Sequence, residues 1–567
     1  MFEWKDKTDE WVANYISDNQ SRMYDRRQVY HALWELLTKL FRPRRYDMLG
    51  VRRKGQKYGA NIFDPHPANA LGKYTGGKLG YMVSRTIPWI QIVSAKAEHM
   101  RIDRVKGYCQ GAAEQILYAA RRSTMYSSLH PHSLDADTLG TSCVVPMFDI
   151  VKDRVHFDVV HPKDSYIMVD KYGDPIVYHR DLKLTRLTAV DMFGKDAVPT
   201  DWFREGELKE ILKEEEFIWA VYPNNDRGDS SLPIDLPYAV FCILKGQKRG
   251  RGRQKGSLIY RSGNAIFPII YRSGRESGAE YGTSLAADCL TAAMKVNKLG
   301  EKQLMAAHLA VEPAMVASKA TRAQLLRTRA NPGSFTYVDD IARDKPQQMH
   351  ERLNWPVSDA EMKRWHEAID DVLFIRFFEM LSSQDASSRR TIYEVSQMMA
   401  EKATLMSTIV GTFEEESLEK YIQAIVMHET NAGRMPDVPP ELWIGNNEYD
   451  YAIRYLGPLD QLQQMLLKTR GTMDAMEVIS KMAVLDTNVP WKFNFLEAAE
   501  EAAVALGWPQ KFVNSDETIA MMQQQAAQSQ AAMQQAEIAE KGAKASAMLS
   551  KRVEPGSMMD QVRKRAG

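Results

Sequence analysis

At 567 residues the chain exceeds the length at which one hydrophobic core usually divides, so several domains or subdomains are expected. Its 74 Lys and Arg residues nearly cancel 73 Asp and Glu residues, and the formal charge of +1 excludes a bulk electrostatic nucleic-acid binder. Any DNA contact must then come from local patches.

Four cysteines, Cys109, Cys143, Cys242 and Cys289, stand far apart with no CxxC pair, so neither a zinc site nor a disulfide framework is expected. A reducing compartment or a cytoplasmically assembled particle fits that usage. The charged start MFEWKDKTDEW and the lack of any long apolar run predict neither a signal peptide nor a membrane span.

In chain order, Tyr24, Val29, Leu33, Leu36, Leu37 and Leu40 follow helical spacing over 21–41, stopped by Pro43. A basic, glycine-containing loop follows. A second helix is predicted over 67–85, ending in the strand-like IPWIQIV, and a third over 95–126. Residues 144–180 alternate as strands, with a Lys-Tyr-Gly-Asp turn marking a hairpin. Helices are predicted over 185–193 and, highly charged, over 205–216. A β region then runs from 217 to 271.

Helical signal returns over 284–310. About 50 irregular residues with short strands follow it, and then another helix over 359–381. The loop SSQDASSRR leads into one long predicted helix, 391–430. Thr391 and Glu394 have capping-box spacing, and Ile392, Met399, Met406 and Phe413 recur every seven residues. Roughly 40 residues at 1.5 Å each would span about 60 Å. Arg389 and Arg390 precede its positive end, where the helix dipole disfavours cations; a solvated loop or a phosphate backbone would each account for them. A short β piece, DYAIRYLGP, and helices over 459–482 and 495–506 follow. The Gln-, Ala- and Met-rich 516–548 is a strong helix former with too little bulk for its own core, the alternative being a disordered tail.

Three constellations bear on chemistry. The run KGQKRGRGRQKG at 245–256 concentrates Lys248, Arg249, Arg251 and Arg253 between glycines, as a phosphate-contacting loop or a solvated hairpin tip would. His130, His132, Asp135 and Asp137 are metal-capable, but Pro131 argues for a polar helix-to-strand turn and against helical ligand spacing. The glycine-rich 273–284 lacks the GK[ST] ending of a P-loop, and no GxSxG or paired Cys/His signature appears. Nothing here argues for catalysis, a metal or a cofactor.

Four segments, in order, resemble the portal (head-to-tail connector) proteins of short-tailed bacteriophages. They are NIFDPHPANALGKYTGGKLGYMVSRTIPWIQI, HPKDSYIMVDKYGDPIVYHRDLKLTRLTAVDMFG, YGTSLAADCLTAAMKVNKLGEKQLMAAHLAVEPAMV, and the RRTIYEV helix running to YLGPLDQLQQ. The basic 245–256 loop is not part of that likeness. The resemblance implies an α+β, mainly α-helical portal fold and a dodecameric ring at one capsid vertex of the virion, assembled in the host cytoplasm. It implies that double-stranded DNA passes through the ring, and that terminase large subunit, tail adaptors, major capsid and scaffolding proteins dock on it.

Carried onto this chain, the wing would be 1–283, with stem helices at 284–311 and 359–381 around a clip at 312–358. The tunnel loop and long wing helix would occupy 382–458, the crown 459–512, and a C-terminal barrel helix or tail 513–567. The DNA channel would then be lined by Ser387, Ser388, Arg389, Arg390, Lys363 and Arg364. Arg322, Arg327 and Arg329 in the clip would meet terminase or adaptors. The competing reading is a cytoplasmic nucleic-acid-binding protein that uses the 245–256 loop and a coiled-coil tail.

Overall fold

A computed structural model of the chain describes, in the main, residues 2–311 with short interruptions (the longest at 49–58), the strands Met315–Val316 and Gln347–Gln348, and residues 355–382, 408–457, 516–550 and 558–565. Two compact units emerge: residues 1–89, 116–434 and 457–463 form one, and 90–115, 435–456 and 464–567 the other.

The first unit opens with helix α1 (Asp9–Phe41). Thr8 caps it by accepting from the Trp11 amide, and Asp9 and Glu10 in its first turn suit the positive end of the dipole. The helix starts twelve residues before the predicted 21–41. Its early apolar positions, Val12, Ala13 and Ile16, are buried against a sheet and not against another helix.

That sheet has five antiparallel strands in the order Ser257–Asn264, Tyr238–Leu244, Glu214–Pro223, Pro175–Thr185, Ser165–Val169. The period of two sorts its side chains. Ile218, Ala220, Tyr222, Phe241 and Ile243 pack with α1, while Val221 and Val240 point the other way. There they meet Cys143, Val145 and Val160 of a three-stranded sheet built from Ile270–Ser273, Thr141–Asp149 and Arg154–Val160. Each such large apolar side chain contributes roughly 1.5–3 kcal/mol on burial. The predicted hairpin at 170–175 is present: the Asp170 carboxylate accepts from the Tyr172 and Asp174 amides, and Gly173 adopts the positive φ (93°) that the turn demands.

Helices α2 (His66–Met82), α4 (Met125–Leu139) and α5 (Arg186–Phe193) also belong to this unit, and α3 (Asp103–Arg122) precedes α4. Further on lie α6 (Leu290–Val311), α7 (Trp355–Val372), α8 (Ile375–Ser382) and α9 (Glu419–Asn431). Helices α6 and α7 run antiparallel, because Gln303 donates to Ser358 (2.9 Å) while Lys295 lies 3.7 Å from the Trp365 ring. The antiparallel pairs Met315↔Gln348 and Val316↔Gln347 draw together the ends of the intervening stretch. Gly77 of α2 lets the Phe378 ring approach so closely that an added Cβ would lie 2.6 Å from it.

In the second unit Ile90–Val93 and Ala452–Tyr455, each expected as a β piece, pair antiparallel with one another. The polar, Ala-rich run forms α10 (Asp516–Ser550), exposed at the positions described from Met521 to Lys544, and α11 (Met558–Arg565) follows.

Several expectations are corrected. The predicted 205–216 helix is absent: Phe203–Arg204 pairs with Glu207–Leu208, and Glu214–Glu216 enter the sheet opposite Lys183–Thr185. The charged residues serve the sheet instead: Glu216 pairs across the ladder with Lys183 (3.1 Å), and buried Glu215 holds Arg186 (2.8 Å). The 95–126 helix divides into a short 3₁₀ turn (His99–Arg101) and α3. Residues 130–137 are not a turn but the middle of α4, which tolerates Pro131 and ends at Gly140 with φ 75°. The 284–310 helix is interrupted at Cys289, and the 359–381 helix starts at Trp355 and breaks at Phe374, whose φ is 54°. Of the long helix, 408–431 is helical as predicted, with a π turn at Glu414–Leu418. Its first part and the helices predicted over 459–506 lie outside the described residues, apart from isolated helical positions.

Candidate functional site

The paired helices α6 and α7 carry the predicted channel residues that fall within the description. Lys363 and Arg364 are exposed on α7, Arg364 with a 3.7 Å contact to Glu361 and its guanidinium 5.6 Å from the Trp365 ring. Exposed Lys298 and Lys302 on α6 add to the cations of this pair, Lys298 being matched to Glu301 at 2.6 Å. Exposed cations of this kind can meet an anionic partner from solvent.

A crossed pair of His–Asp contacts fixes this hairpin to the chain ahead of α2. His66 Nε2 lies 2.9 Å from an Asp370 carboxylate oxygen, and His366 Nε2 lies 2.7 Å from Asp64. The two imidazole rings stack with centroids 4.1 Å apart. Asp64 also accepts the His66 amide (2.7 Å), and Asn297 of α6 accepts the Phe63 amide (2.8 Å). One loop is thereby tied to both helices.

Deeper, α2, α4, the 270–273 strand and the π turn converge on one carboxylate. Asp137 receives Lys78 through both oxygens (2.6 and 2.7 Å), Thr75 (2.8 Å), Ser133 (3.2 Å) and, more distantly, Arg272 (3.4 Å). Burial opposes the charge of Asp137, but Lys78 and then Arg272 hold its pKa below the ordinary value. Burial lowers Lys78 to about 8 against the pull of Asp137. The Phe413 ring covers both cations, with Lys78 Nζ 5.3 Å and Arg272 Cζ 5.0 Å from its centroid.

Beside them His132 bridges Ser142 (2.9 Å to Nδ1) and Ser417 (3.1 Å to Nε2), and burial pushes it down to about 3, so it is neutral. Ser417 belongs to the π turn, whose extra residue aims it at α4. This Ser–His–Ser chain is sealed from solvent, and no substrate can reach it. It anchors the long helix.

A second anchor holds the end of that helix. Arg434 engages Glu429 through two 2.8 Å contacts and Asp153 at 2.9 Å, and these carboxylates raise its pKa. Asp153 stands at the 149–154 hairpin tip with φ 46°.

Of the other predicted residues, Lys248, Arg249 and Arg253 fall on a two-residue hairpin ladder, with Lys248 opposite Arg253 and Arg249 opposite Gly252. Arg251 between them lies outside the described residues, as do Arg322, Arg327, Arg329, Ser387, Ser388, Arg389 and Arg390. Of the metal-capable group, His132, Asp135 and Asp137 are buried and engaged with protein partners, Asp135 with Arg42 and Arg45. Among the described residues, no group of three or more His, Cys, Asp or Glu side chains is placed to hold a metal ion.

The buried network escaped the reading of the sequence. The sequence marks His132 and Asp137 only as metal-capable residues of a turn, and the remaining trace is Lys78, a cation among small and apolar residues in KYTGGKLG. The His–Asp crossing joins residues some 300 positions apart and left no trace.

These elements belong to a known class of viral structural protein. The family described as bacteriophage head to tail connecting protein matches residues 13–513, and the chain belongs to that family. It is similar to a protein of Bordetella phage BPP-1 named "Probable portal protein", 24% identical over 510 residues, which cover 88% of each chain. The family membership displaces the competing reading of a cytoplasmic nucleic-acid-binding coiled-coil protein. Among the described residues no helix is long and apolar enough to cross a membrane.

Proposed function

We propose that this chain is the subunit of a portal ring of twelve copies, set at one vertex of the capsid. The ring forms the channel for genome packaging, retention and ejection. The observation that carries the reading is the family match over residues 13–513, which runs from within α1 to the segment before α10. The antiparallel pair α6–α7, with the stretch 312–354 at its far end, supports its assignment as the stem, with 312–358 as the clip.

In that reading SSQDASSRR is the tunnel loop, with Ser387, Ser388, Arg389 and Arg390 facing DNA beside Lys363 and Arg364. Arg322, Arg327 and Arg329 meet the terminase large subunit and tail adaptors. Residues 459–512 form the crown. Helix α10, exposed at its described positions from Met521 to Lys544 and lacking bulk for a core of its own, packs against copies of itself as a barrel. Scaffolding and major capsid proteins surround the wing.

Charge supports the job. A ring repeats each channel cation twelve times, and every phosphate contact adds salt-sensitive affinity. A channel through which DNA must slide works best with few of them, as a net charge of +1 permits. The protein does no chemistry in this scheme, and the packaging motor supplies the work.

Electron microscopy and light scattering of the purified protein test the reading. Rings with a central hole are expected, and twelve copies of 64.6 kDa give about 775 kDa. A monomer or dimer under all assembly conditions refutes it.

A further inference from the structure

Segment 245–256 is the densest concentration of positive charge in the chain. Its twelve residues comprise six cations, four glycines and two glutamines, with no acidic and no apolar side chain. Without those six cations the rest of the protein would carry −5, not +1.

Both ends of this run are held in the fold. It connects two neighbouring strands of the five-stranded sheet, Tyr238–Leu244 and Ser257–Asn264, whose register closes at Leu244 opposite Ser257. At the base the Lys245 amide donates to the Glu216 carbonyl (2.8 Å) and its Nζ meets Asp181 at 2.7 Å. Lys245 is thus matched inside the protein. Beyond it the ladder resumes with Lys248 directly opposite Arg253. Like charges at opposed positions of an antiparallel pair destabilise it, so the register disfavours the hairpin unless an anion lies alongside. A hairpin built only for solubility would mix signs.

We propose that this hairpin is a finger that grips the phosphate backbone of nucleic acid independently of sequence. A protein partner is disfavoured because the run offers no aromatic or aliphatic anchor around which interface energy concentrates. Charge, glycine and amide side chains are what phosphate and sugar contacts require. This goes beyond the channel reading, in which the stem and tunnel loop meet DNA, and it does not depend on ring assembly.

The test uses the full-length chain and a short random-sequence DNA duplex, with binding followed by fluorescence anisotropy over a range of salt. Relative to wild type, the triple variant Lys248→Ala, Arg249→Ala, Arg253→Ala should bind more weakly. Its slope of log affinity against log salt should be shallower by about 0.9 per lost contact, roughly 2–3 in all. The charge-conserving Lys248→Arg, Arg249→Lys, Arg253→Lys variant should restore both. Light scattering on each variant reads assembly separately, so loss of rings and loss of duplex binding are distinguished. Equal affinity and slope in wild type and the alanine variant overturn the proposal. So does hairpin-dependent capture of phosphatidylcholine–phosphatidylserine vesicles by a protein that leaves the duplex unbound.

Discussion

Lys78 and Asp137 face each other in a site sealed from solvent, with the ammonium 2.6 and 2.7 Å from the two carboxylate oxygens. Arg272 is a second cation on the same carboxylate at 3.4 Å, and this sets an asymmetry. Asp137→Ala strands two buried cations, and should cost about 3–5 kcal/mol of stability, as breaking a buried pair does. Lys78→Met leaves Asp137 with Arg272, Thr75 and Ser133, and should cost clearly less. Chemical denaturation of both variants checks the ranking, and equal losses would contradict it.

Two buried histidines give the fold an acid limit. Burial pushes both His132 and His179 down to about 3, while the unfolded chain titrates near 6.5. Between those values the unfolded state binds protons that the folded state refuses. Their contribution is therefore whole above pH 6.5 and is lost as pH falls toward 3, by up to about 1.4 kcal/mol per pH unit for each histidine. His179→Gln keeps a polar partner for Tyr222, which lies 2.8 Å from the imidazole, and should flatten the acid limb by about one histidine's share. Thermal melts from pH 7 to 4 measure it. An unchanged slope would show that His179 does not set the limit.

How much of this was legible beforehand follows from which residues carry local patterns. The strands at 141–185 and 214–273 were readable because their alternation sorts side chains onto two faces, as Ile218 and Val221 show. The long helix was readable from Ile409, Val410 and Phe413 onward, but its π turn was not, since a one-residue insertion leaves the apolar stripe almost intact. Residues 205–216 misled because EGELKEILKEEE has helix-forming composition, and sheet pairing overrode it. Pro131 misled in the opposite sense. Tertiary partners of His132 and Asp137 hold α4 through a residue that should break it. The exposed cations of α7 could be named from sequence, whereas the buried ones needed the fold.

The crossed contacts His66–Asp370 and His366–Asp64 should behave as one clamp, because the two rings stack at 4.1 Å and share a face. In a double-mutant cycle, His66→Ala and Asp370→Ala should show a coupling of about 0.5–1.5 kcal/mol, typical of side chains in one hydrogen-bonded network. His366→Ala should weaken that coupling although it touches neither partner's hydrogen bond directly. Additive losses throughout would mean that the two contacts act separately.

Arg389 and Arg390 offer the sharpest separation of structural from functional roles. They stand just ahead of the predicted start of the long helix at Thr391, where cations oppose the dipole by roughly 0.3–1 kcal/mol. A structural purpose would therefore predict that Arg389→Ala with Arg390→Ala destabilises the protein. A channel purpose predicts the reverse pattern: rings form normally, melting is unchanged or slightly raised, and DNA packaging or retention changes. Electron microscopy gives the rings, calorimetry the melting, and the DNA content of assembled particles the function. Normal packaging and retention in the double variant would remove these arginines from the channel.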